Sequence, residues 1–82
     1  MKVRLRLFAH LAEYLPPDAD GDGVTLELPE DARVSDVLAR LRIPERVPFL
    51  SVVNGHEVED PHPLHDGDEL TIFPPLSGGR AR

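Results

Sequence analysis

Three stretches of this 82-residue chain combine residue types and spacings that could do chemistry. Asp18-Ala19-Asp20-Gly21-Asp22-Gly23 matches the opening of an EF-hand calcium loop, with Asp at alternate positions and Gly at the sixth. The match fails where a bidentate Glu is needed, because that position is Pro29 and the residues from Val24 read as a strand instead of an exit helix. An acidic turn between a helix and a strand accounts for the pattern. His62 and His65, with Asp66 adjacent, would suit a metal on a helix, but Pro61 and Pro63 exclude a helix there, which leaves loop histidines. His10 has no Ser, Cys or carboxylate partner fixed by sequence and is assigned no role in acid-base chemistry.

The third stretch is Leu70-Thr71-Ile72-Phe73-Pro74-Pro75-Leu76-Ser77-Gly78-Gly79. Leu70 and Ile72 alternate as a half-buried strand does, and Pro74-Pro75 stops the ladder and holds the exit extended. Ser77-Gly78-Gly79 has nothing to pack and no bulk, which predicts a tail able to thread a narrow slot on another protein. The rest of the chain reads as its mount.

Composition bounds the class. Eighty-two residues make one domain, and 40% hydrophobic content in patterned segments makes it globular. No apolar run is long enough to span a membrane, and Met1 to Phe8 alternates charge with apolar residues instead of forming a signal peptide, so the expected location is cytoplasmic. The absence of cysteine excludes a disulfide framework, an iron-sulfur ligand set and a thiol nucleophile. A net charge of −6 disfavours nucleic acid and anionic membrane as partners and favours a basic protein surface. Glu57, Glu59, Asp60, Asp66, Asp68 and Glu69 crowd one segment, part of which is expected to face it.

Several elements must position the tail. Lys2 to Leu7 alternates strictly and predicts a first strand with Val3, Leu5 and Leu7 inward; a continuing strand turns Phe8 to the opposite face. Ala9 to Leu15, with Leu11 and Leu15 four apart and Pro16-Pro17 behind them, predicts a short helix. Val24 to Leu28 alternates as a second strand, its Glu27 expected near Arg4 or Arg6. Val34, Val37, Leu38 and Leu41 lie on one helical face, with Asp36 early, Arg40 and Arg42 late and Pro44 as the stop. Phe49 to Val53 predicts a third strand, Asn54-Gly55 a hairpin turn, and His56 to Glu59 a brief return strand. Leu64 is expected to plug the core before Asp66-Gly67-Asp68 turns into the last strand. The fold class is therefore α+β, a sheet with its main helix on one face.

These residues carry a resemblance. Leu7-Phe8-Ala9 with Glu13, Val53-Asn54-Gly55, His62-Pro63-Leu64 before Asp66-Gly67-Asp68-Glu69, and Phe73-Pro74-Pro75-Leu76-Ser77-Gly78-Gly79 occur in the order found in the MoaD/ThiS family of ubiquitin-like β-grasp sulfur carriers. The chain is most similar to the MoaD branch, the small subunits of molybdopterin synthase. The resemblance implies a mixed sheet of four to five strands over residues 1–76, followed by a tail at 77–82. It implies that an adenylating enzyme activates the Gly79 carboxylate with ATP and that a sulfur donor converts it to a thiocarboxylate. The large synthase subunit then uses that sulfur to build the dithiolene of molybdopterin. The chain itself would be a carrier, not an enzyme, and would hold no cofactor or metal.

In such a sheet the first and last strands run parallel, so Phe8 and Phe73 are expected on one exposed apolar patch. Together with Pro74, Pro75 and Leu76, this patch would contact the partner. Two features depart from the family pattern: Ala12 stands where Arg often precedes the first-helix Glu, and Arg80-Ala81-Arg82 follows Gly79, which calls for a trimming protease. Three rival readings stay open: a thiamine-type sulfur carrier, a protein modifier that forms isopeptide bonds, and an interaction module that keeps its tail.

Overall fold

The structure is a computed structural model and describes residues 1–21, 23–44, 46–59 and 62–75. Its strands are β1 (Lys2–Leu7), β2 (Gly23–Glu27), β3 (Leu50–Val53), β4 (His56–Val58) and β5 (Glu69–Phe73), in one sheet of order β2-β1-β5-β3-β4. The central pair β1 and β5 is parallel, with Arg4 opposite Glu69 and Leu7 opposite Ile72; the other pairs are antiparallel. This is the ubiquitin-like β-grasp arrangement expected from the resemblance.

Alternation decides which face is buried. Val3, Leu5 and Leu7 of β1, Leu70 and Ile72 of β5, Val24 and Leu26 of β2 and Val53 of β3 enter one core. Val34, Val37 and Leu38 of the α-helix α1 (Val34–Arg40) join it, as do Leu11 and Leu64. Leu64 is 2% exposed, the core plug that the sequence predicts.

Helix α1 starts where the Asp36 carboxylate accepts the Arg33 N–H at 2.8 Å, an acidic side chain satisfying a donor at the positive end of the helix. It ends earlier than its apolar spacing suggests. Arg42 adopts φ +62° and donates to the Ala39 carbonyl, while Ile43 N–H donates to the Leu38 carbonyl, and this pair of bonds is a Schellman closure. Ile43 and Leu38 are both buried behind that closure.

Other expectations require correction. The short helix expected at residues 9–15 does form, at Ala9–Tyr14, but as a 3₁₀ helix entered through Ala9 at φ +56°. With three residues per turn it cannot hold Leu11 and Leu15 on one stripe, so Leu11 is buried while Leu15 only packs at the margin. Glu27 lies opposite Lys2, not beside Arg4 or Arg6, because the register pairs Arg4 with Thr25 and Arg6 with Gly23. Arg6 instead meets Glu69 across the parallel pair, Nε to Oε2 at 3.2 Å.

The β2 edge is closed at both ends. Gly23 exchanges two backbone bonds with Asp20, and the Glu27 carbonyl accepts from the Arg40 guanidinium. Both devices occupy groups that an incoming strand would use. The Asp20 pairing also gives the acidic Asp18-to-Gly23 turn a structural job.

Candidate functional site

The face of the sheet opposite the core carries Lys2, Arg4, Arg6 and Phe8 along β1 and its extension, Glu69, Thr71 and Phe73 along β5, and Leu50 and Val52 along β3. Because β1 and β5 are parallel, both deliver an aromatic residue to the same end. The Phe8 and Phe73 rings stack with centroids 5.2 Å apart and planes 14° from parallel. Beneath the rings the Phe8 N–H donates to the Ile72 carbonyl at 3.2 Å, so the backbone holds the register that the rings need. The strand path ends there, since Ala9 adopts φ +56°.

Leu50 sits opposite Phe73 on β3 and is 37% exposed, a large hydrophobic side chain with about a third of its surface open to solvent. Phe8 and Phe73, expected together on one exposed patch, do lie together, and each is half-buried, since each ring covers part of the other. The result is an apolar cluster at the point where β5 hands the chain to Pro74 and Pro75, both partly exposed. Leu50 is the member that sequence reading missed: its alternation with Ser51 was visible, but only strand pairing brings it beside Phe73.

A shallow groove of about 250 Å³ opens beside this end of the sheet, between Phe49-Leu50-Ser51 and Glu57-Val58-Glu59. Ser51 is 3% exposed, and its hydroxyl has no hydrogen-bond partner among the described residues.

The acidic segment divides into two groups. Asp68 accepts from the Asn54 amide through Oδ1 and from the His65 N–H through Oδ2, each at 2.8 Å. Asp66 accepts from the Lys2 N–H at 2.7 Å, and Glu69 pairs with Arg6. These three carboxylates tie loops and strands together instead of standing free for a basic partner. Glu57 and Glu59 are exposed, and Asp60 lies outside the described residues. His10 and His65 are exposed, His62 is half-buried, and no cluster of metal-ligating side chains occurs among the described residues. None of the helices among them is long and apolar enough to cross a membrane.

Leu76, Gly78, Gly79 and Arg80-Ala81-Arg82 lie outside the described residues, as does the boundary between a domain at 1–76 and a tail at 77–82.

Comparison with known proteins agrees with this architecture. The crystal structure of SAMP1, small archaeal modifier protein 1, from Haloferax volcanii is 30% identical and aligns with a TM-score of 0.71 over 96% of this chain and 100% of its own. The candidate molybdopterin converting factor subunit 1 of Pyrococcus furiosus is also 30% identical, with a TM-score of 0.72 over 92% of this chain and 98% of its own. A protein-protein complex of subunits 1 and 2 of the molybdopterin-converting factor from Helicobacter pylori contains a chain of the same fold, at 24% identity and a TM-score of 0.62 over 96% of this chain and 100% of that one. No curated protein matches the sequence. The ThiS family model matches residues 5–79, from the first strand through the second tail glycine, and the chain belongs to the ThiS family of small ubiquitin-like sulfur carriers.

Proposed function

We propose that this chain is the sulfur-carrying small subunit of a molybdopterin synthase, with Gly79 as its working terminus. The observation that carries the reading is the Phe8–Phe73 stack, extended by Leu50, at the root of the tail. An apolar anchor there lets a partner hold the domain while its own slot receives Ser77-Gly78-Gly79. Phe8, Phe73, Pro74, Pro75 and Leu76 would make that contact, and glycine at 78 and 79 lets the backbone pass where a Cβ would collide.

The chemistry asks little of the side chains. A carboxylate is a poor acyl donor until activated. In the partner adenylating enzyme the Gly79 carboxylate attacks the α-phosphate of ATP and expels pyrophosphate. A sulfur donor then displaces AMP and leaves a thiocarboxylate, a softer nucleophile than an oxygen acid, for use by the large synthase subunit. Gly79 is amide-linked to Arg80 in this sequence, so a protease must first remove Arg80-Ala81-Arg82. The ending Phe73-Pro74-Pro75 and the similarity to the Pyrococcus furiosus protein support this pathway over a thiamine-type one.

A second reading, a protein modifier joined through Gly79 to lysine, is supported by the equal identity to the Haloferax volcanii modifier. Both readings require an activated Gly79. The test compares ATP-pyrophosphate exchange by the cognate adenylating enzyme on the full chain and on a version ending at Gly79, followed by addition of large subunit and a sulfur source. Exchange from the shorter form alone, then molybdopterin formation, is expected. Exchange from the uncut chain, or none from the shorter one, would overturn the terminus; exchange without molybdopterin would favour the modifier.

A further inference from the structure

We propose that Lys2 is the one amine of this chain open to acylation, so that any self-linkage joins Gly79 of one copy to Lys2 of the next. The linkage step rests on the activation of Gly79 proposed above; the amine assignment does not. An activated carboxyl is attacked by free amines, and lysine is the usual acceptor among side chains. This sequence contains a single lysine, all its other cationic side chains apart from histidine being arginine. The competing group is the α-amine of Met1, and the structure separates the two.

The Met1 amine donates to the Leu28 carbonyl at 2.7 Å, and the Met1 carbonyl accepts from the Leu28 N–H at 2.8 Å. These reciprocal bonds continue the β1–β2 ladder and bring a half-buried residue against the core. Acylation of that amine requires the ladder end to open first. Lys2 is exposed. The Lys2 backbone is held, N–H to Asp66 and carbonyl to Gly67 N–H, while its ammonium joins no ion pair among the described residues.

Position favours linkage between copies. Lys2 opens β1 and Phe73 closes the parallel β5, at opposite ends of the sheet. Residues 74–79 span about 20 Å at full extension, roughly the length of β1 itself, so closure on the same chain would require a tail drawn straight back along the sheet. A second copy imposes no such constraint. In the step itself the deprotonated Lys2 nitrogen attacks the carbonyl carbon of the Gly79 acyl adenylate. A C–N bond forms, the C–O bond to phosphate breaks, AMP leaves with the bonding pair, and the amine proton passes to water.

The test has two arms. Untagged full-length protein is treated with a limiting amount of an acetyl N-hydroxysuccinimide ester, and the sites are mapped by peptide mass spectrometry. In buffer alkaline enough to deprotonate both amines, so that accessibility and not protonation decides, Lys2 should be acetylated at least about tenfold faster than the Met1 amine, the size of effect that the loss of one or two hydrogen bonds on opening would give. Equal or faster reaction at Met1 overturns the assignment. In the second arm, untagged wild type and Lys2→Arg are isolated from the native cell, and digestion after glutamate is used to find residues 70–79 on the acceptor. Copy-to-copy conjugates at Lys2 that vanish in Lys2→Arg are expected. Conjugates that persist in that variant, or a wild-type chain closed on itself, would overturn the proposal. Failure of ATP-pyrophosphate exchange would instead strike the activation of Gly79 and leave the acetylation result standing.

Discussion

The Asn54 side chain holds Asp68 and the start of β5 at once: its amide nitrogen donates to Asp68 Oδ1 at 2.8 Å, and its oxygen accepts the Glu69 N–H at 2.9 Å. Asn54 also sits at φ +52° in the hairpin turn, a conformation that Asn tolerates better than most residues. Asn54→Ala should therefore lose about 1–3 kcal/mol, from two hydrogen bonds and backbone strain together. Asn54→Gly keeps the turn and should recover part of that loss. Urea unfolding checks both, read as a midpoint shift at constant slope. Equal stability of the Ala variant and wild type would show that the bridge contributes nothing.

Gly23 is required by the approach of β1. A Cβ there would stand 2.8 Å from the Arg4 guanidinium and 2.9 Å from the Leu5 carbonyl. The guanidinium can swing aside, but the carbonyl belongs to the ladder. Gly23→Ala should cost about 1–3 kcal/mol and weaken amide protection along β1 and β2. Adding Arg4→Ala should rescue only a minor part. Full rescue in hydrogen exchange would assign the constraint to the side chain alone.

Ser51 reverses the usual sign. Its hydroxyl is buried between Ile72 and Val58 in the sheet register without a partner among the described residues. Ser51→Ala should raise stability by about 1 kcal/mol, since an unpaired buried hydroxyl costs about that much. Loss of stability on thermal unfolding would mean that the hydroxyl is satisfied after all.

For the aromatic pair, Phe8→Asp or Phe73→Asp should leave the circular dichroism spectrum native and weaken binding to a large synthase subunit by about 1–2 kcal/mol or more, the loss expected of an interface anchor. Stacking itself is worth about 0.5–1.5 kcal/mol, so each variant should also be slightly less stable. Leu50→Asp should weaken binding comparably. Calorimetry on the three variants decides, and unchanged affinity in all of them removes the anchor.

Sequence alone determined what depends on neighbours a few residues apart. The alternation of Val3, Leu5 and Leu7, the stripe of Val34, Val37 and Leu38, and the Asn54-Gly55 turn follow from strand, helix and turn periods, and each forms as its spacing requires. The residues matched to a family carried the β-grasp assignment as well. Only the tertiary structure decided which partners charged and aromatic side chains would find. Arg6 meets Glu69 instead of Glu27, Asp68 serves Asn54 instead of solvent, and Leu50 joins Phe8 and Phe73, because each depends on register between strands far apart in sequence. The 3₁₀ form of Ala9–Tyr14 is of the same kind. An α-helical spacing of leucines is a local preference, whereas the segment begins at a left-handed Ala9 directly after Phe8, which is stacked on Phe73 from the far end of the chain.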